Sequence, residues 1–303
     1  MHILKPALCF IAISMNPAPA RFTTPEAPPE ETAILCADQA DNRIKLIRLS
    51  DPAKPTVIWR HPDTPDKRGP YMPTDAKRVV VQGVVHILAS YHQRVQLVRF
   101  ADKKLIRDYP APPSCHSAEC LPDGTIVTAN STDEKLRLHF SAAEYLDYPL
   151  PYAHGACWDH QRQQLWALGD KLHLYDYKDR KLNLKKSHPL PGAPTGHELF
   201  PVANADKLFV SNTENLSVFD IKAAKFHVLL SIADIKCASV GPDAKTWITQ
   251  PKSIPAAQSW QTDTITSVAS IAEEQQRHTI PLARFYKARW WQNVSFSYPE
   301  PNH

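Results

Sequence analysis

The sequence predicts an all-β fold, a six-bladed β-propeller, and three observations lead to this prediction. A segment of about 40 residues, the size of one propeller blade, recurs along the chain. Each copy contains short runs in which apolar and polar residues alternate, which is the period of a β-strand. The two ends of the chain carry incomplete copies that complete each other. The composition agrees, because 28 Pro residues would interrupt helices and central strands.

Each copy begins with a basic residue, which we call the opener, followed by a short strand and a turn. The clearest turn is Pro122-Asp123-Gly124, and turn residues between β-branched runs are a hairpin signal. The openers, one for each blade, are Lys77, His116, His154, His197, Lys236 and Lys287. Seven blades is the less favoured count, and it depends on the long, irregular last repeat at 236–284.

Later strands of the repeat show the clearest alternation. The predicted third strands include 43–47, 94–98, 135–138, 171–174 and 215–218. The predicted fourth strands include 56–59, 105–109, 145–148 and 226–232. A period of two means that each strand buries one face.

The chain ends are expected to share one blade. Residues 33–36, 43–49 and 56–59 resemble second, third and fourth strands without a first strand, whereas 286–290 resembles a first strand alone. Pairing the C-terminal strand with the N-terminal strands closes the ring and removes two open edges that would otherwise invite aggregation.

The first 20 residues have the features of a signal peptide. Lys5 precedes a short apolar stretch at 7–15, and Ala18-Pro19-Ala20 fits a cleavage site. We expect a disordered leader at 21–31, a single propeller domain at 32–303, and a secreted or periplasmic location. No stretch reaches the roughly 20 apolar residues that a membrane-spanning helix needs.

Charge and cysteine content narrow the function classes. A net charge of +4 on 303 residues does not indicate nucleic-acid binding. Removal of Cys9 with the signal peptide leaves five cysteines, an odd number, and we expect them to be small buried residues in strands. We expect a monomer.

Four short motifs support the fold: CADQ at 36–39, CHSAE at 115–119, GHEL at 196–199 and YKARW at 286–290. Together they resemble an uncharacterised bacterial family of secreted proteins, domain of unknown function 6528. The resemblance covers nearly the whole mature chain and implies a propeller. It implies no activity, so function has to be argued from residues.

The openers are the main candidate site, because first strands lie closest to the propeller axis and should bring them to one end of the channel. Lysines attract carboxylate or phosphate, and a neighbouring histidine can act as a general base. The catalytic candidates are His116, His154 and His197. The candidate ligand-binding residues are Lys77, Lys236, Lys287, Asp38, Gln39, Tyr91, His92, Asn130, Asn212 and Gln250.

Two other interpretations of the openers stay open. Three histidines can hold a divalent metal, but the lysines among them disfavour another cation unless Glu119, Glu198 or Asp38 offsets their charge. Alternatively, the openers are structural and hydrogen-bond the ends of strands.

The leading hypothesis is a secreted propeller that binds an acidic oligosaccharide or polysaccharide at the channel mouth. The lysines and histidines at this mouth suit a lyase for uronate-type polysaccharides, although the sequence leaves open whether the protein is an enzyme. The alternative is a non-catalytic interaction or glycan-binding propeller with a structural His/Lys ring.

Overall fold

The computed structural model describes residues 32–66, 68–268 and 275–299. The predicted signal peptide and leader lie outside the described residues. Within them the chain forms six four-stranded antiparallel sheets, which confirms the six-bladed propeller and excludes the seven-bladed alternative. No helix in these ranges is long and apolar enough to cross a membrane.

The strands follow the chain in blade order. The first three are β1 (Ala33–Asp38), β2 (Arg43–Arg48) and β3 (Thr56–His61), and a 3-10 turn (Gly69–Tyr71) leads to blade 2. Blade 2 contains β4 (Pro73–Val81), β5 (Val84–Tyr91), β6 (Arg94–Arg99) and β7 (Leu105–Pro110). Blade 3 contains β8 (Cys115–Cys120), β9 (Ile126–Asn130), β10 (Lys135–His139) and β11 (Tyr145–Pro149).

The remaining blades repeat this arrangement. Blade 4 contains β12 (Gly155–Asp159), β13 (Gln164–Leu168), β14 (Lys171–Lys178) and β15 (Lys181–Pro189). Blade 5 contains β16 (Gly196–Pro201), β17 (Lys207–Asn212), β18 (Leu216–Asp220) and β19 (Lys225–Leu230). Blade 6 contains β20 (Cys237–Val240), β21 (Thr246–Thr249), β22 (Thr264–Ser267) and β23 (Arg277–Thr279), and the last strand is β24 (Phe285–Trp290).

Strand β24 completes blade 1, as the sequence predicts. It runs antiparallel to β1, with Ile34 opposite Trp290 and Cys36 opposite Ala288. The sheet order is therefore β24-β1-β2-β3, so that the C-terminal strand is the innermost strand of the first blade. Neither chain end leaves an open sheet edge within the ring.

The core consists of six apolar clusters, one between each pair of neighbouring blades. Neighbouring blades approach most closely where side chains are small. A Cβ added to Gly155 would lie 2.6 Å from Leu199 Cβ of the next blade. All five cysteines of the described residues are buried and unpaired, so packing and not disulfides holds the ring together.

β-Bulges in the inner strands change which residues occupy equivalent positions in different blades. The openers assigned from the sequence repeat are therefore not all structurally equivalent. In β8 the pairing moves from Cys115↔Asn130 to Ser117↔Ala129, so His116 is the extra residue. Strand β16 has its bulge at the equivalent point, and β4 has one between Pro73 and Asp75. Thr74, and not Lys77, therefore occupies the position of His116 in blade 2.

The C-terminal segment 291–299 crosses the end of the channel opposite to the openers. Ser297 Oγ donates to Trp158 O at 2.7 Å, and the backbone N–H of His160 donates to Phe296 O at 3.1 Å. The hydroxyl of Tyr298 contacts Glu119 and donates to Cys120 O at 3.2 Å. This segment closes that end of the channel, so the openers face the other end, which we call the channel mouth.

Candidate functional site

A compact group of ionisable and aromatic side chains lies at the channel mouth. Three consecutive blades supply histidines whose rings touch: the centroids of His116 and His154 are 4.4 Å apart, and those of His154 and His197 are 5.0 Å apart. Lys236, from the next blade, donates from Nζ to His197 Nε2 at 3.1 Å. We define the mouth cluster as His116, Tyr152, His154, His197, Asp234 and Lys236.

Three of the four openers at the mouth share a local backbone feature. Ser114, Tyr152 and Asp234 have φ angles of 56°, 57° and 61°, in the left-handed region that non-glycine residues seldom adopt. Each lies two residues before an opener, where the chain turns from the outer strand of one blade to the inner strand of the next. The turn also adds side chains to the site: Tyr152 stacks on His154 at 4.4 Å between ring centroids.

Burial keeps the three histidines neutral at physiological pH. Desolvation lowers the pKa of His154 to about 3 and that of His197 to about 2, with the charges of Lys236 and Lys287 adding to the effect. The pKa of His116 is also well below 6.5, because of burial and the neighbouring cationic groups. Neutral imidazoles at neutral pH can accept protons and hydrogen bonds.

A backbone carbonyl defines the tautomer of His154. Its Nδ1 lies 2.8 Å from Tyr152 O, a backbone carbonyl that can only accept a hydrogen bond. Nδ1 of the neutral ring therefore carries the proton, and the lone pair is on Nε2. His116 and His197, by contrast, each have a buried Nδ1 without a hydrogen-bond partner in the protein.

Lys236 is a buried cation whose positive charge is only weakly balanced by a neighbouring negative charge. Its side chain is 9% exposed, and its Nζ lies 3.3 Å from Asp234 Oδ1, but the Asp234 side chain is 52% exposed. Burial lowers the pKa of Lys236, and Lys287 acts in the same direction. Its other contact, His197, carries no negative charge. The mouth cluster therefore has capacity for an anion.

A second layer of charged groups fills the channel below the mouth. Glu198 accepts a two-pronged hydrogen bond from Arg289 and lies 2.9 Å from Lys287 Nζ. Arg289 also contacts Asp75, and the arginine holds the pKa of that carboxyl well below its usual range although burial opposes this. We define the buried network as Asp75, Lys77, Glu119, Glu198, Lys287 and Arg289.

The six predicted openers are thus divided between two layers. Lys77 pairs with Glu119 at 3.4 Å and donates to Ala156 O at 2.6 Å, and Lys287 pairs with Glu198. Both lysines are compensated by buried carboxylates, and the network holds three cationic and three acidic side chains. The structure brings only His116, His154, His197 and Lys236 of the six together at the mouth.

Most of the predicted loop residues support the loops themselves. Asp38 pairs with Lys45 at 2.8 Å and accepts from the backbone of Arg284 at 2.9 Å. Four more of the predicted residues use the side-chain amide to donate a hydrogen bond to a backbone carbonyl: Gln39, Asn130, Asn212 and Gln250. The backbone N–H of His92 donates to Met72 O. Tyr91 is buried with an unpartnered hydroxyl, and burial raises its pKa well above 10.

The histidines do not have the geometry of a metal site. Among the described residues no group of three or more His, Cys, Asp or Glu side chains is arranged to hold a metal ion. The rings of His116 and His154 stack with 21° between their planes, and His197 meets His154 edge-on, so the nitrogens do not converge as tetrahedral ligands would.

Tyr152, Asp234, Asp75 and Arg289 were not predicted from the sequence. The first two follow a pattern that the sequence contains, since each lies two residues before an opener. The other two are not marked by any local signal, because they meet only when β24 and β4, the inner strands of neighbouring blades 1 and 2, lie side by side.

Comparisons with known proteins agree with the fold. A family model described as a family of unknown function, DUF6528, matches residues 29–303. No curated protein sequence matched. A chain of the nidogen/laminin complex superposes with a TM-score of 0.58 at 11% identity, over 85% of this chain and 97% of that one. A catalytically inactive histidine-to-alanine variant of virginiamycin B lyase from Staphylococcus aureus, solved with quinupristin, gives 0.51 at 12% identity, over 80% and 78%.

Proposed function

The chain belongs to DUF6528, a family of unknown function, and we propose that its channel mouth binds an anionic carbohydrate and cleaves it by β-elimination. The ligand class is a uronate-type oligosaccharide or polysaccharide, met outside the cytoplasm after export directed by residues 1–20. At fold level, virginiamycin B lyase supports the proposal, because it combines a related fold with lyase chemistry.

The observation that carries the proposal is the contrast between the lysines of the two layers. Lys77 and Lys287 have buried carboxylate partners, whereas Lys236 depends on the half-exposed Asp234. A carboxylate that displaces water from the mouth would accept a charge-assisted hydrogen bond from Lys236. It would also relieve the unfavourable burial of this cation.

The mouth cluster has the groups that an elimination needs. With the substrate carboxylate at Lys236, the acidity of the adjacent C5–H rises, and His154 Nε2 accepts that proton. The electron pair forms the C4=C5 double bond, the C4–O bond breaks, and the leaving oxygen takes a proton from the hydroxyl of Tyr152. Burial raises the pKa of Tyr152, so this hydroxyl is protonated at neutral pH.

A non-catalytic interaction propeller is the second candidate, and one observation favours it. The C-terminal segment closes the far end of the channel, and the buried network fills its interior, as in a propeller whose channel is a scaffold. A chain of the nidogen/laminin complex, which assembles with another protein, shares the fold. In this case the mouth would recognise a partner without turnover.

The test is a screen of acidic polysaccharides: polygalacturonate, alginate, hyaluronan and heparin. We expect ultraviolet absorbance from the unsaturated uronate product with at least one of them. His154→Gln should abolish the product but keep binding, and Lys236→Met should weaken binding.

Matched controls are His227→Gln and Lys225→Met, which change exposed residues of the same types on the outer strand β19. If the wild-type protein binds a polysaccharide without forming product, the non-catalytic candidate is correct. If it binds none of the four, the anionic-carbohydrate proposal is wrong.

A further inference from the structure

Trp260 differs from the other tryptophans of the blades because its ring is partly exposed. It is 36% exposed, whereas Trp158, Trp247 and Trp290 are buried between blades. It belongs to the irregular segment before β22, where the sequence predicts no regular element. An exposed indole that is nevertheless held in place is a typical contact surface.

The indole is held by its nitrogen. Trp260 Nε1 donates to Gln39 Oε1 at 3.1 Å, and Gln261 Nε2 donates to the same oxygen at 2.6 Å. The amide nitrogen of Gln39 in turn donates to Pro73 O at 2.8 Å. Every polar atom of this arrangement is therefore used inside the protein, and only the apolar ring surface of Trp260 is presented to solvent.

Backbone pairing places this ring at the channel mouth. Thr262 and Phe285 form two backbone hydrogen bonds, of 2.6 and 3.0 Å. Strand β1 already occupies one edge of β24, so Thr262 uses the opposite edge, which faces the channel axis. Two residues span at most about 7 Å, so Trp260 lies close to the start of β24. Phe285 is followed by Tyr286, whose ring centroid is 5.3 Å from that of His116.

We propose that Trp260 is a sugar-stacking platform that forms a second subsite beside the mouth cluster. This inference rests on the proposed function. The C–H face of a pyranose ring is apolar, and covering an indole with it removes apolar surface from water. The subsite would take the sugar next to the one whose carboxylate binds Lys236, so the preferred ligand is an oligosaccharide of at least two units.

The experiment measures the affinity of oligosaccharides of two to six units, cut from the four screened polysaccharides, together with their methyl-esterified forms. We expect longer fragments to bind the wild-type protein more tightly. Trp260→Ala should reduce the affinity of the longer fragments by about tenfold, for both charged and esterified forms. Trp260→Phe should keep most of the affinity for the longer fragments. The control is Tyr145→Ala, which removes an exposed ring from the outer strand β11.

The outcomes separate the two proposals. If fragments bind with a preference for the charged forms but Trp260→Ala matches the wild type at every length, the subsite is wrong and the mouth proposal stands. If Trp260→Ala weakens binding while charged and esterified fragments bind equally, and Lys236→Met has no effect, the platform stands and the anionic site is wrong. If nothing binds, both are wrong.

Discussion

Replacing each of two buried lysines with methionine should change stability by different amounts. Lys287 is 1% exposed, lies 2.9 Å from Glu198 Oε2 and donates to His197 O at 3.2 Å. Breaking a buried ion pair costs about 3–5 kcal/mol when it leaves one partner uncompensated. Because Arg289 still holds Glu198, we expect Lys287→Met to lower the free energy of unfolding by about 2–3 kcal/mol.

Lys236→Met should be close to neutral. The variant loses a contact with a half-exposed carboxylate, and such a pair contributes at most about 1 kcal/mol. It also loses the hydrogen bond to His197 Nε2, which contributes about 1 kcal/mol net. Against these losses, the variant removes a buried positive charge near Lys287, and the methionine side chain keeps most of the packing of the lysine stem. We therefore expect the free energy of unfolding to change by less than about 1 kcal/mol.

Urea unfolding of both variants at pH 7.5, followed by circular dichroism, measures the difference. The midpoint of Lys287→Met should move clearly downward and that of Lys236→Met should hold, with unchanged m-values. Equal destabilisation of the two variants would mean that Lys236 is part of the scaffold. That result would remove the observation on which the proposed anion site depends.

Two further predictions concern the histidines and the blade packing. His154 and His197 have folded pKa values of about 3 and about 2, below the unfolded value of 6.5, so their stabilising contribution is complete above pH 6.5 and is lost as the pH falls toward the folded values. Thermal or urea unfolding should show a loss of about 2 kcal/mol per histidine between pH 8 and pH 5, and a flat profile would contradict their burial as neutral groups. Gly155→Ala should destabilise by about 1–3 kcal/mol in the same assay, because its Cβ would clash with Leu199, whereas Gly69→Ala, with open space around it, should be neutral.

The strands could be predicted because their signal is local. Alternation at 43–47 and 94–98 corresponds to β2 and β6, and turn residues marked the ends of most hairpins. The ring closure could also be predicted, because an unpaired first strand and an incomplete blade are each unstable alone. In the last repeat the strands β22 and β23 are only four and three residues long, which is too short for a period to be recognised.

The sequence by itself determined the fold and the number of blades. It also determined that three histidines and Lys236 lie together at the channel mouth. Only the tertiary structure decided that Lys77 and Lys287 lie in a lower layer with Glu119 and Glu198. The physical reason is that a β-bulge changes which face a side chain occupies without changing the repeat length, so the register of an inner strand is not visible in its sequence. Likewise, the contact of Arg289 with Asp75 and that of Trp260 with Gln39 join residues more than 200 positions apart, and they exist only once the ring has closed.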